Sequence, residues 1–162
     1  MMPDVEITLE PVTADNWRAC AALTVHPEQR EYVNAVTHYL CMCTYGDLWQ
    51  PLAAVRDGAV VGFCIWAVDD DRSRWIGGVV VDAARQRTGI GRAMVGALMD
   101  RLAAEPDCGD VALSYVPENT AARALYASLG FVETGEMEDD EIVARWRPAG
   151  KGAPGADVGA TR

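Results

Sequence analysis

Hydrophobic and polar positions recur along this chain with two periods, one typical of strands and one typical of helices. The periods predict, in order, a strand at 5–9, helices at 13–23 and 26–40, strands at 52–56, 60–68 and 75–82, a helix at 91–102, a strand at 113–116, a helix at 120–129, and strands at 131–136 and 142–146. This order predicts an α/β fold, a single domain whose mixed central sheet is flanked by helices.

Short polar signals predict where several elements begin, turn or distort. Thr13 is a suitable N-cap for the first helix, and the sequence HPE at 26–28 suits the first turn of the second. The pair Asp57-Gly58 is typical of a tight hairpin turn. The pair Gly77-Gly78 inside a strand predicts a β-bulge or a point where neighbouring strands separate.

The stretch QRTGIG at 86–91 joins an apolar strand that ends near Asp82 to an amphipathic helix. The first N–H groups of a helix have no partner within the helix, and the helix dipole there attracts anions. Gly89 and Gly91 would leave those N–H groups open to a phosphate, because glycine has no side chain. The stretch is therefore predicted to bind a pyrophosphate.

Three phosphate-binding patterns can be compared with this stretch. A P-loop requires Gly-Lys-Ser/Thr, whereas the only lysine of the chain is Lys151. A dinucleotide fingerprint requires a third glycine where the chain has Met94. The remaining pattern, Gln/Arg-x-x-Gly-x-Gly/Ala, is matched by Gln86, Gly89 and Gly91, and it resembles the acetyl-CoA loop of the GCN5-related N-acetyltransferase (GNAT) family.

A second motif follows the next predicted strand. The run N-x-x-A-x-x-L-Y-x-x-L-G-F at 119–131 resembles the second half of the same family motif. With both motifs in order, the chain is identified as a member of the family over residues 5–147, which implies the GNAT fold and an acetyl-CoA-dependent N-acetyltransferase. Residues 148–162, rich in Gly, Ala and Pro, are predicted to be a flexible tail.

Composition limits the kinds of binding partner, and the cellular compartment, that the sequence indicates. The formal net charge of −10 argues against nucleic-acid binding and is compatible with a cationic substrate. No apolar run reaches the ~18 residues of a membrane span, and no signal-peptide pattern opens the chain. The cysteines are therefore expected to be reduced thiols in a cytoplasmic protein. His38, Cys41 and Cys43 fall short of a full ligand set, so no metal is expected.

The resemblance implies which residues contact the cofactor. The strand before the glycine stretch would hold the pantetheine arm and the acetyl carbonyl through its backbone, and Tyr126 would donate a proton to the departing thiolate. Asn119 would cap its helix and help to fix the cofactor. The predicted cofactor-binding residues are Val79, Val80, Val81, Gln86, Arg87, Thr88, Gly89, Ile90, Gly91, Arg92, Asn119 and Tyr126.

The sequence does not identify the residue that accepts the proton of the attacking amine. Many family members use a glutamate on the strand before the glycine stretch, or a water relay, to take this proton, but positions 75–78 contain no carboxylate. The candidates for this catalytic base are Glu28, Glu31 and Glu141, and His26 is less favoured. Favourable charge in the first turn of a helix would explain Glu28 and Glu31 without catalysis.

Several stretches, including 9–17, 25–29 and 114–119, resemble the bacterial spermine/spermidine and diamine acetyltransferase branch of the family. The resemblance implies direct acetyl transfer to a primary amine of a small cationic substrate, a polyamine or diamine. The alternatives are an antibiotic-modifying acetyltransferase and an acetyl-CoA sensor without turnover. The acidic runs at 69–71 and 138–140 are interpreted as solvated turns. The family also implies that a homodimer could form.

Overall fold

The computed structural model describes residues 4–150, whose regular elements are seven strands and four α-helices. The strands are β1 Thr8–Pro11, β2 Gln50–Arg56, β3 Ala59–Val68, β4 Arg74–Val81, β5 Val111–Tyr115, β6 Val132–Glu138 and β7 Glu141–Trp146. The helices are α1 Trp17–Ala21, α2 Val36–Tyr45, α3 Ile90–Ala103 and α4 Thr120–Ser128, with 3-10 turns at Pro27–Gln29 and Ala83–Arg85.

The strands form one mixed sheet in the order β1-β2-β3-β4-β5-β7-β6. Neighbouring strands are antiparallel except β4 and β5, which are parallel and are connected through α3. Asp57 and Gly58, between β2 and β3, both have positive φ, which confirms the predicted hairpin turn. The predicted α/β fold, a single domain with a mixed sheet flanked by helices, is confirmed.

Hydrophobic clusters cover the two faces of the sheet. One cluster contains Leu98 of α3 and Cys64 of β3, and the other contains Tyr39 of α2 and Phe63 of β3. Because successive strand residues point to opposite faces, Phe63 and Cys64 place these clusters on opposite sides. Complete burial of a side chain such as Leu98 contributes roughly 1.5–3 kcal/mol.

The prediction of one continuous helix over 26–40 is wrong. The chain forms a 3-10 turn at Pro27–Gln29, leaves the helical path, and begins α2 only at Val36. Ala35 has an extended backbone, with φ −60° and ψ 147°. The backbone N–H of Asn34 donates to the Tyr39 hydroxyl at 3.0 Å, so a local side-chain contact takes the place of a helical hydrogen bond. The apolar spacing that suggested one helix comes from two separate elements.

The ends of the first two elements also differ from the prediction. β1 begins at Thr8 rather than at Val5, because pairing with β2 begins there. α1 spans only Trp17–Ala21, and its N-cap residue is Asn16 rather than Thr13. The side chain of Asn16 accepts a hydrogen bond from the Thr13 N–H at 2.8 Å, which closes a turn before the helix.

All five cysteines lie within the described residues and are free thiols. Burial raises the pKa of the Cys64 thiol to about 12.

Among residues 4–150, no group of three or more potential metal ligands comes together. No described helix has the length and apolar character needed to cross a membrane. The tail prediction falls outside the described residues from position 151 onward.

Candidate active site

A β-bulge distorts β4 in its middle, as the Gly77-Gly78 pair predicted. Phe63 of β3 pairs with Val80, but Ile65 pairs with Gly77, so β4 carries one extra residue between these pairs. Gly78 has φ +54°, a conformation that favours glycine. The bulge turns the strand just before the residues that were predicted to hold the cofactor.

The two parallel strands pair only where they begin. Arg74 lies opposite Val111 and Trp75 lies opposite Ala112, and no further pair joins β4 to β5. The strands therefore separate beyond Trp75, and the gap between them opens into a cleft of about 1090 Å³. Val79 and Val81 line this cleft, so backbone groups of β4 that would otherwise bond to a neighbouring strand can bond to a ligand, although the Val81 carbonyl already accepts from Gln86.

The glycine stretch forms the turn that leads into α3. Gly89 is the N-cap residue with φ +86°, and the first helical hydrogen bond of α3 runs from Ala93 to the Gly89 carbonyl. A β-carbon on Gly91 would lie 3.5 Å from Val81 and 3.7 Å from Leu125, so glycine leaves the gap between β4 and α4 open. The free N–H groups of the first turn of α3 thus lie beside the cleft, a suitable arrangement for a pyrophosphate.

Gln86 uses its side chain to fix this turn. Its Nε2 donates to the Val81 carbonyl at 3.0 Å and to Oε1 of Gln29 at 2.8 Å. Its Oε1 accepts from Nε2 of Gln29 at 2.8 Å. The carboxamide therefore joins the turn to the end of β4 and to the 3-10 turn at Pro27–Gln29.

The predicted cofactor residues divide into two groups in the structure. Nine of them line the cleft: Val79, Val81, Gln86, Arg87, Gly89, Gly91, Arg92, Asn119 and Tyr126. The side chains of the other three point elsewhere. Val80 and Ile90 are buried in the core, and the Thr88 hydroxyl donates to the Arg85 carbonyl at 2.6 Å.

Tyr126 reaches the cleft from α4 and is only 8% exposed. Its ring packs against Tyr115, at 5.7 Å between ring centroids, and against Phe131, at 6.0 Å. Burial raises the pKa of the Tyr126 hydroxyl, and the negative charge of Glu141 adds a smaller effect in the same direction. The hydroxyl therefore keeps its proton well above neutral pH.

The N-terminus of α4 is fixed by its own cap. The Asn119 side chain accepts a hydrogen bond from the Ala122 N–H at 3.3 Å. The guanidinium of Arg92, on α3, donates to the Ser128 hydroxyl near the other end of α4. These contacts set the position of the helix that carries Tyr126.

The three glutamates that were considered as bases occupy different environments. Glu141 is half-buried, lines the cleft, and accepts a hydrogen bond from the Ser114 hydroxyl. Glu28 and Glu31 are exposed and lie outside the cleft lining, as does His26. Of the three, only Glu141 lines the cleft that also contains Tyr126.

Sequence reasoning did not identify several cleft residues. Aromatic side chains line part of the cleft, namely Tyr32, His38, Tyr39, Trp49 and Trp75. No motif marks them, because they come from separate loops, from α2 and from β4. Acidic side chains line it as well, namely Asp69, Glu138, Asp139, Asp140 and Glu141. The acidic runs were visible in the sequence, and they are exposed as expected, but Asp69 of the first run and all three residues of the second run also line the cleft.

Comparisons with known proteins agree with this geometry. A family model described as the acetyltransferase (GNAT) family matches residues 11–131. The spermine/spermidine N(1)-acetyltransferase of Bacillus subtilis (strain 168) is 28% identical over 141 residues, which cover 83% of this chain and 93% of that protein.

Solved structures share the fold at lower sequence identity. The aminoglycoside acetyltransferase AAC(6')-Ib in complex with coenzyme A is 18% identical, with a TM-score of 0.70 over 88% of this chain and 95% of that one. The spermidine N-acetyltransferase from Vibrio cholerae, in complex with CoA and spermine, is 16% identical, with a TM-score of 0.69 over 88% of this chain and 94% of that one. The family match over most of the chain, together with the strand separation and the glycine turn, shows that the chain belongs to the GNAT acetyltransferase family and is an acetyl-CoA-dependent N-acetyltransferase.

Proposed function

We propose that this enzyme acetylates a primary amine of a polyamine or diamine. The observation that carries the proposal is the set of acidic side chains lining the cleft that also contains Tyr126 and the glycine turn. A polyamine bears several positive charges along an alkyl chain, and such a chain suits carboxylates placed beside aromatic walls. The curated relative from Bacillus subtilis supports this substrate class by its name.

The cofactor would bind along the gap between β4 and β5. Backbone groups of Val79 and Val81 would hold the pantetheine arm and the acetyl carbonyl. The N–H groups at the start of α3, including that of Ile90, would bind the pyrophosphate, with Arg87 and Arg92 beside it. Val80 and Thr88 would contribute through the backbone alone, because their side chains face away from the cleft.

When bound, acetyl-CoA supplies the activated acetyl group, and the amine attacks it directly without an acyl-enzyme. Glu141 would accept the proton that the attacking amine loses, and the Ser114 hydroxyl would hold the carboxylate in one orientation. Tyr126 would donate its hydroxyl proton to the thiolate that leaves. Glu28 and Glu31 have no part in this arrangement, since both lie outside the cleft lining.

The test is a thiol-release assay with acetyl-CoA against spermidine, spermine, short diamines, aminoglycosides and a lysine peptide. Selective turnover of the polyamines or diamines supports the proposal. Selective turnover of the aminoglycosides contradicts it and favours an antibiotic-modifying enzyme. Tight acetyl-CoA binding with no turnover of any amine also contradicts it and favours a sensor.

We also propose that the enzyme is a homodimer in the cytoplasm. The edge strand β6 carries the exposed apolar side chains Val132 and Met137, with 68% and 56% of their surface accessible. An unpaired edge strand of this kind can pair with a second copy. The free thiols are consistent with a reducing compartment. Light scattering of the wild-type protein and of Val132→Lys tests the dimer, which should dissociate in the variant.

A further inference from the structure

The 3-10 turn at Pro27–Gln29 is attached directly to the glycine turn. The carboxamides of Gln29 and Gln86 exchange two hydrogen bonds, each 2.8 Å long, across 57 positions of sequence. Gln29 is itself held in place, because its Oε1 accepts from the His26 N–H at 3.1 Å. The pair is partly buried, so water competes with it less than at an open surface.

The chain that follows Gln29 is fixed at its other end to the β4 bulge. Asn34 donates its N–H to the Tyr39 hydroxyl, and the Tyr39 ring lies directly against Gly78. Between these anchors, Tyr32 and Val33 line the cleft. The segment 29–34 therefore contacts the glycine turn directly and the bulge through Tyr39, while its middle forms part of the cleft wall.

We propose that Gln29 is a positioning residue that holds the glycine turn in its phosphate-binding shape through Gln86. The inference rests on the cofactor site described under Proposed function. Both N–H groups of the Gln86 carboxamide are engaged, one by Val81 and one by Gln29, so Gln86 acts on the turn rather than on a phosphate. Without Gln29, one Gln86 N–H and its carbonyl oxygen lose their partner, and the turn becomes free to shift.

The experiment compares the binding of two probes, CoA and pantetheine, which lacks the pyrophosphate, in wild type and in Gln29→Leu. Because Gln29→Leu removes these hydrogen bonds, it should weaken CoA binding about fivefold or more. Its affinity for pantetheine should stay within about twofold of the wild-type value. Gln29→Glu should also weaken CoA binding, because a carboxylate still accepts from His26 but cannot donate to Gln86. Gln50→Leu, the same change at an exposed glutamine outside the cleft, is the matched control and should bind both probes as wild type does.

The double variant separates a direct coupling from two independent effects. Gln29→Leu combined with Gln86→Leu should bind CoA no more weakly than the weaker of the two single variants. Unchanged CoA binding in Gln29→Leu, equal losses for CoA and pantetheine, or effects that multiply in the double variant would each overturn the inference. No amine is present in these measurements, so an incorrect polyamine assignment leaves their outcome unaffected.

Discussion

The ring of Tyr39 lies against Gly78 so closely that a β-carbon built on Gly78 would be 3.1 Å from the Tyr39 Cγ. The same glycine has φ +54° and marks the β4 bulge. Tyr39 also stacks on Phe63, at 6.3 Å between ring centroids, and so the ring is fixed from a second side. Helix α2 therefore packs directly against the bulge in the strand whose backbone is proposed to hold the cofactor.

Gly78→Ala should damage both stability and catalysis. The positive φ alone costs an alanine roughly 1–2 kcal/mol, and its β-carbon would be so close to the Tyr39 ring that the ring or the strand must move by a few tenths of an ångström. We expect kcat to fall about tenfold or more, because displaced backbone donors near Val79 stabilise the reacting carbonyl less well. Steady-state kinetics and chemical denaturation measure the two effects.

Gly58→Ala is the matched control for this change. Gly58 also has a positive φ, +77°, but no atom lies within 4 Å of its β-carbon position, and it belongs to the β2–β3 hairpin turn. It should lose about 1 kcal/mol of stability and keep the wild-type kcat. Equal kinetic losses in both variants would show that the bulge has no special importance for the reaction.

Tyr126→Phe should lower kcat about a hundredfold while the dissociation constant of acetyl-CoA stays nearly unchanged. The reason is that the hydroxyl matters mainly as negative charge develops on sulfur. Because the pKa of Tyr126 is raised, its protonated form persists as pH increases, and kcat should not decline below about pH 10 through loss of this proton. Tyr45→Phe, at a tyrosine that is 88% exposed, is the control. A wild-type kcat in Tyr126→Phe would remove this residue from the mechanism.

Glu141→Gln should reduce kcat about a hundredfold, because glutamine keeps the shape of the side chain but cannot accept the amine proton. Ser114→Ala should have a smaller effect, about three- to tenfold, since it removes only the hydrogen bond that orients Glu141. Both variants are compared with Glu10→Gln on the exposed edge strand β1. If the kcat of Glu141→Gln equals that of Glu10→Gln, a water molecule or another group must accept the amine proton.

The double variant Asp139→Asn/Asp140→Asn should raise the KM for spermidine severalfold with little change in kcat. Both side chains line the cleft but are exposed, so each contributes only a modest attraction to a cation. The difference from wild type should shrink as salt is added, because ions screen exposed charges. Asp15→Asn, at an exposed aspartate outside the cleft, should leave the KM unchanged. A salt-independent KM in the wild type would argue against attraction by these carboxylates.

Local patterns were sufficient to predict the parts of the site that lie together in the sequence. The glycine turn, the bulge at Gly77-Gly78 and the cap at Asn119 each involve residues that are close neighbours in the chain. The contact between Gln29 and Gln86 could not be predicted in this way, because it joins residues far apart in the sequence. The helix predicted over 26–40 failed for a different reason, since the hydroxyl of Tyr39, a near neighbour in the sequence, takes the N–H of Asn34.

The interpretation of the acidic runs as solvated turns was incomplete. Asp139 and Asp140 are exposed, as their charge indicates, but the turn between β6 and β7 also places them at the cleft. Hydropathy reports whether a side chain meets water and carries no information about which surface it faces. Only the order of strands in the sheet supplies that information.

The measurement that tests the account most directly is the ratio of kcat/KM for spermidine to kcat/KM for an unbranched alkyl monoamine of the same length. Both molecules present a primary amine to the same cleft, and only spermidine carries further positive charges. The carboxylates lining the cleft predict a ratio of about ten or more in favour of spermidine, and a smaller ratio at high salt. A ratio near one at low salt would contradict the assignment of a polycationic substrate.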